Sequence, residues 1–380
     1  MRDVRGMLAL VLVVLGTTFG VDTGSAQDTE LKEIAEAAMQ ARARVLRGMP
    51  DVEALQGNAR AEQIRAAMAR PFQAAQTERR GYTAAGLNIP RTESEVRVKN
   101  TRAEGDRATL TADVQSTIFL AGVAGAPDRT VEVVEHEFEY ARRNGRWELV
   151  EDRVPDPFRQ AVRDTYPKLP NVTGAASSGD RNGPRRAPVR TRGGGVGMLR
   201  DGGSDFLRLA HDAPASYFVD PAAVVTYARR YALTYNSAYR DFNNSGTAGG
   251  DCTNFVSQAM RAGGWADVGG YTNRTTTAAW WADYFTQTYT WVNAHYFYQY
   301  IGANKATLAT NVYDLEPGDV LQMDFQANGD VDHTTVVTKK DANGMVYLSY
   351  HTGNTLDKPF TTFQSQVAAG TSYYGWLLYY

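Results

Sequence analysis

A chain of 380 residues with a single cysteine, Cys252, can close no internal disulfide, so buried apolar surface alone must hold it folded. That length is enough for two domains, each with its own core. The lone thiol lies in the run Gly249-Gly250-Asp251-Cys252-Thr253-Asn254-Phe255, after a Gly-Gly-Asp turn and at the expected start of a helix. A cysteine so placed reads as a nucleophile, and the bland alternative is a small buried hydrophobe.

The chain opens with Arg2 and Arg5, an apolar run from Met7 to Leu15, and the small residues Gly24-Ser25-Ala26 before Gln27. That three-part pattern predicts a cleaved secretory signal peptide over residues 1–26 and a secreted, extracellular protein. The apolar run is too short to span a bilayer comfortably, and no stable membrane span is expected. Export sharpens the meaning of Cys252, because exported proteins usually oxidise their cysteines in pairs. A net charge of −2 gives no reason to expect nucleic acid or an anionic membrane as partner.

Residues 27–166 read as a small N-terminal α+β accessory domain. Leu31, Ile34, Ala35 and Ala38 fall on one helical stripe, and the helical reading runs from residue 28 to about 70. The period then changes to two, with strands expected at 94–100, 107–120, 130–142 and 147–154 and an Asn144-Gly145 hairpin between the last pair. His136 stands alone among glutamates there, and no catalytic constellation accompanies it. Residues 167–213 shift to Gly, Pro, Ser and Arg without apolar periodicity, as a flexible linker does.

From residue 214 to 380 the chain is rich in Tyr, Trp, Thr and Asn. Asp220 caps a helix with Pro221 at its first position, and Val224, Tyr227, Ala228, Tyr231 and Tyr235 mark its buried face. With Asp251 as N-cap, Cys252, Phe255, Val256, Ala259 and Met260 share one stripe, and Gly263-Gly264 closes the second helix. Strands are expected at 320–325, 333–338, 345–351 and 373–379. The fold class is therefore α+β, with helices packed on an antiparallel sheet in the C-terminal domain.

A thiol in the first turn of a helix faces unpaired N–H groups and the positive end of the dipole, which favour a thiolate and an oxyanion. Its base is one of five histidines. His295 sits in an aromatic run and is more simply core, whereas His333 opens a strand after the turn Asn328-Gly329-Asp330 and can face the helix tip. No His-Glu-x-x-His, cysteine pair, calcium loop or phosphate-cradling glycine motif occurs, so neither metal nor cofactor is expected.

Gly250-Asp251-Cys252-Thr253-Asn254-Phe255-Val256-Ser257-Gln258, Pro317-Gly318-Asp319-Val320 and Asp332-His333-Thr334-Thr335-Val336-Val337 together resemble the putative amidase domain family. That family is similar in layout to CHAP and NlpC-type cell-wall hydrolases of the papain-like class. Ala228, Tyr235, Asn236 and Tyr239 fit its approach to the cysteine. The resemblance covers about 214–380 and implies Cys252 as nucleophile and His333 as general base and later general acid.

It also implies a polar orienting residue on the next strand, His351, with Asn354 as the alternative. A five-residue loop at 340–344 would set His333 opposite His351, and a two-residue Asn343-Gly344 turn would set it opposite Asn354. Tyr235, Asn236 and Tyr239 are oxyanion candidates, and Asp251 and Trp281 border the expected site. Trp265, Trp280, Trp281 and Trp291 are core residues or an aromatic wall for substrate.

The resulting expectation is a secreted cysteine amidohydrolase or peptidase that cleaves an amide through an acyl-enzyme, with peptidoglycan or a peptide as substrate. Acyl transfer by the same dyad and a catalytically silent cell-wall-binding module are the alternatives. The oligomeric state is open.

Overall fold

The computed structural model describes residues 26–155, 218–243, 250–303 and 305–378. The expected signal peptide, apart from Ala26, and the whole expected linker lie outside the described residues. The fold is α+β, with helices on one large antiparallel sheet.

The N-terminal region starts with α1 (Ala26–Leu46), followed by the one-turn helices α2 (Asp51–Ala54) and α3 (Ala61–Ile64) and by α4 (Ala69–Ala84). The stretch expected to be helical from 28 to about 70 is divided after Leu46, where Gly48 takes φ +107° and Pro50 follows. Leu31, Ile34, Ala35 and Ala38 are all fully buried, as their spacing requires. Strands β1 (Asn88–Glu104), β2 (Arg107–Ala121), β3 (Arg129–Arg143) and β4 (Arg146–Arg153) form a meander. Asn144 and Gly145 both have positive φ, 51° and 78°, in the turn between β3 and β4.

The C-terminal region comprises α5 (Pro221–Tyr231), α6 (Cys252–Ala262), α7 (Tyr289–Val292), α8 (Ala294–Gly302), β5 (Ala306–Leu308), β6 (Val320–Asp324), β7 (His333–Lys340), β8 (Val346–Tyr350), β9 (Thr355–Pro359), α9 (Phe360–Gln366) and β10 (Ser372–Leu378). The sheet order is β1-β2-β3-β9-β8-β7-β6-β10-β5, with β4 also pairing β3. One sheet therefore runs through both regions. Its junction is the pairing of Val131 with Leu356 and Glu132 with Thr355, backed by Thr130 Oγ1 donating to Asp357 O at 2.8 Å.

Two apolar cores flank the sheet. Phe255, Val256, Ala259 and Met260 of α6 pack with Val320, Val336 and Trp376 on one side, together with α5 and α8. Leu321, Met323, Val337 and Phe363 belong to the other core, which is shared with α1 and α4. There α4 meets α9 so closely that a Cβ on Gly81 would stand 2.4 Å from Thr362 Cα.

Candidate active site

The turn before α6 is built around Gly250 and Asp251. Gly250 has φ +105°, and a Cβ on it would stand 2.6 Å from Thr352 Oγ1, so both conformation and space demand glycine. Asp251 was expected as a side-chain N-cap, but it makes no such bond. Its Oδ1 instead accepts from Phe242 N at 3.0 Å and Asn254 Nδ2 at 2.8 Å, and its Oδ2 lies 2.6 Å from His351 Nδ1. The carboxylate is turned inward because a buried imidazole competes successfully with the helix end.

Cys252 is the first residue of α6 and is buried, with Sγ 3.7 Å from Thr253 Oγ1. Burial pushes the thiol up, while hydrogen bonds from Thr253 and from the backbone of Thr334 act in the opposite sense. The net direction is upward, contrary to the thiolate expected from the helix end. Here desolvation outweighs the dipole.

Thr253 Oγ1 lies 2.9 Å from Thr334 Oγ1, which also accepts from Gln322 Nε2 at 3.0 Å. Strand alternation thus gives the face toward α6 to Thr334, and His333 turns to the other face. Its ring packs against Phe325, Tyr350 and Phe363, at centroid distances of 6.1, 5.0 and 6.3 Å. Burial in that aromatic shell pushes the imidazole down to about 3. The expectation that His333 faces the helix tip is therefore corrected: its backbone neighbour reaches the tip, and its ring lies behind the sheet.

Neither predicted hairpin register occurs. Val336 pairs with Ser349 and Val337 with Leu348, and a bulge then shifts the pairing to Lys339 with Tyr347. His351 has left the strand: its Nδ1 meets Asp251 and its Nε2 lies 2.7 Å from Tyr231 O. Two acceptors on two ring nitrogens hold the imidazole fully in this local network, flanked by Phe255 and Tyr235 at 4.3 and 4.6 Å. Asn354 Oδ1 accepts from Tyr235 OH at 3.1 Å.

The oxyanion candidates divide. Tyr235 lies beyond the end of α5 and borders the Cys252 turn through Asn243, whose Nδ2 donates to its hydroxyl at 2.7 Å. Asn236 Nδ2 donates to Tyr227 OH at 2.9 Å, and Tyr239 stacks on Trp291 and receives a bond from Arg261. Those two side chains brace α5 and α6 against each other and the aromatic core. Trp265, Trp280 and Trp291 form a fully packed cluster, so the core reading holds for them. Trp281 is 9 % exposed, at the margin of that core.

Sequence reading expected the segment from Tyr350 to Asn354, which includes Thr352, to border the site, and missed Thr253, Thr334 and Asn243 as site residues. Thr352 and Asn243 both accept from Asp251 N at 3.0 Å and so fix the turn before the thiol. The only signal for them was position, since Thr253 and Thr334 directly follow the two chemically conspicuous residues. His295 is a buried residue of α8, where Gln299 lies 3.0 Å from its Nε2 and Val331 N donates to its Nδ1 at 3.3 Å. Burial lowers its basicity.

A cleft of about 1280 Å³ opens between the two regions. Phe325, Tyr350 and Phe363, the shell of His333, form part of its wall, as do Thr352 and Asp332. Among the described residues, no group of three His, Cys, Asp or Glu side chains is arranged to hold a metal, and no helix is long and apolar enough to cross a membrane.

Two curated relatives come from Bacillus subtilis strain 168. The uncharacterized protein YhbB is 34% identical over 137 residues, which are 35% of this chain and 41% of that protein. The uncharacterized protein YjcM is 36% identical over 148 residues, which are 36% of this chain and 32% of that protein. The chain thus spans less than half the length of the curated relatives it matches. Among solved structures, the Kfla4162 protein from Kribbella flavida is 19% identical with a TM-score of 0.24, covering 34% of this chain and 90% of that one. The intermembrane space region of chloroplast protein ARC6 is 16% identical with a TM-score of 0.20, covering 32% of this chain and 95% of that one. Residues 218–374, which contain α5, α6 and the strands from β5 to β9, match the family described as a putative amidase domain.

Proposed function

We propose that residues 218–374 form a cysteine-dependent amidase of papain-like type, acting on an amide bond in peptidoglycan or a related peptide after export. The amidase match supports amide hydrolysis as the reaction class. The observation that carries the cysteine mechanism is the position of Cys252 as the first residue of its helix, which Thr253 ties at 2.9 Å to Thr334, the residue after His333.

In this reading Cys252 Sγ attacks the amide carbonyl carbon as its proton passes to the His333 imidazole. The amine leaves with that proton, and a thioester joins the acyl group to Cys252. His333 then takes a proton from water as the water oxygen adds to the thioester carbon; the C–S bond breaks, a carboxylic acid leaves, and His333 returns the proton to the Cys252 sulfur. The buried thiol and the aromatic shell around His333 belong to a resting arrangement. Catalysis requires the start of β7 to shift and bring the His333 imidazole round to the face on which the sulfur lies, because turning the side chain alone leaves it on its own face of the sheet. His351 supports the site at one remove, by fixing Asp251 and the turn that presents Cys252.

The raised thiol and the strongly weakened imidazole favour a second reading, a module that binds cell-wall peptide without cleaving it. One experiment separates the two. The protein and its Cys252→Ala variant are incubated with purified peptidoglycan and a peptide panel, and the products are read by mass spectrometry. New amine and carboxylate ends made only by the unaltered protein support the amidase. Equal retention on peptidoglycan with no product from either supports the silent module.

A further inference from the structure

Among the described residues, four other than glycine have positive φ: Asn144, Ala327, Thr352 and Asp357. Thr352, at +67°, is the β-branched one, and a branched Cβ crowds the backbone in that region. It stands beside Gly353, φ +77°, in the turn between β8 and β9. The turn between β3 and β4 has nearly the same pair of angles, 51° and 78°, and places Asn144-Gly145 there. Asparagine meets that demand at low cost, so Thr352 keeps its conformation against its own preference.

The hydroxyl of Thr352 makes the compensating contacts, all of them on the turn before the thiol. Asp251 N donates to Thr352 Oγ1 at 3.0 Å, and that hydroxyl donates to Asn243 Oδ1 at 3.2 Å. Asn243 Oδ1 also accepts from Asp251 N at 3.0 Å, which closes the circuit. Asp251 O in turn accepts from Phe255 N at 2.9 Å, the first bond along α6. The path from the strained residue to the helix that begins with Cys252 is thus one hydroxyl and one peptide unit. Thr352 is 6% exposed and forms part of the cleft wall, so it stands between the cleft and that turn.

We propose that Thr352 is a positioning residue for Cys252, its backbone strain retained because its hydroxyl fixes the Gly250-Asp251 turn and with it the seat of the thiol. The proposal takes its catalytic meaning from the amidase reading and adds a residue outside the Cys252–His333 pair. It carries a signature that ordinary packing lacks. Relaxing the backbone at 352 relieves strain and yet displaces the thiol.

The single cysteine makes the test direct, because cysteine labelled with carbon-13 at Cβ gives the full chain one labelled site. Thr352→Gly removes strain and hydroxyl together, whereas Thr352→Ser keeps the hydroxyl. Thr130→Val loses a buried hydroxyl bonded to Asp357 O at the β3–β9 junction and reports what destabilisation alone does. Thr352→Gly should shift or split the Cys252 signal and speed its alkylation by iodoacetamide about threefold or more, while melting no earlier than Thr130→Val. On soluble fragments of purified peptidoglycan its kcat should fall at least about tenfold, with KM little changed. Thr352→Ser should restore the signal, the alkylation rate and most of kcat.

A signal and an alkylation rate that Thr352→Gly leaves unmoved, or that Thr130→Val moves equally, would overturn the proposal. So would failure of the serine variant to restore them. Should Thr352→Gly not fold, Thr352→Val, which keeps the branch and loses the hydroxyl, is read for the same signal and rate. If the unaltered protein releases no product, the amidase reading falls, and the signal and alkylation rate alone decide on Thr352. Product released equally fast by Thr352→Gly keeps the amidase and overturns the positioning role.

Discussion

Thr253 Oγ1 and Thr334 Oγ1 meet at 2.9 Å, and that contact ties the helix that begins with Cys252 to the strand that begins with His333. Thr334→Val removes the shared hydroxyl and leaves Thr253 and Gln322 with an unmade bond. The loss should be about 1–3 kcal/mol of stability, read by urea denaturation, and Thr334→Ser should restore most of it.

The thiol should be sluggish in the folded protein. Burial raises it above its ordinary value, so alkylation by iodoacetamide at pH 7 should run at least about tenfold slower than for an unfolded-chain cysteine of pKa about 8.5. Unfolding in guanidinium should abolish the difference. Rapid alkylation of the native protein at pH 6 would show that the resting arrangement is not the dominant one.

His333 makes stability depend on pH. Its folded value of about 3 lies below that of an exposed histidine, about 6.5, so the unfolded chain binds the extra proton first. The contribution of the neutral ring is present in full above about pH 6.5 and is lost as pH falls toward 3, at up to about 1.4 kcal/mol per unit. Denaturation midpoints at pH 7, 6 and 5 should fall accordingly, and His333→Gln should flatten the slope.

Asp251 and His351 form a buried pair with side chains 1% and 2% exposed. Asp251→Ala strips His351 of its carboxylate and should destabilise the protein by about 3–5 kcal/mol. Asp251→Asn, which can still bond the ring, should cost less. A loss under 1 kcal/mol for the alanine variant would mean that water readily replaces the carboxylate.

Gly81 is where α4 crosses α9, with Thr361 Oγ1 donating to Gly81 O at 2.8 Å. Gly81→Leu should force those helices apart and cost about 1–3 kcal/mol in thermal or chemical unfolding. An unchanged midpoint would show that the two regions are not rigidly joined there.

Elements fixed by local pattern were legible in the sequence. The strands expected at 107–120 and 130–142 differ from β2 and β3 by a residue or so at their ends, because Val114, Ile118, Phe138 and Tyr140 alternate inward. The start of α5 followed from Asp220, whose Oδ1 accepts from Ala222 N at 2.9 Å, and from Pro221. β1 runs beyond the expected 94–100 because most of its residues stay exposed and leave little apolar pattern to read. β9 was missed because Asp357, Lys358 and Pro359 look like a loop. Burial of the two charged residues is matched by distant partners, Arg229 for Asp357 and Glu132 for Lys358. Cys252 and His333 were recognisable as chemical residues. The facing of His333 was not, since strand alternation opposite Thr334 and an aromatic shell brought together from Phe325, Tyr350 and Phe363 decide it.

The two-rung splice between β3 and β9 bears on how this protein can be divided. Expressed alone, residues 218–380 would present β9 as a raw sheet margin, and Lys358 would lose its Glu132 partner. Such a fragment should self-associate or bind a foreign strand in place of β3.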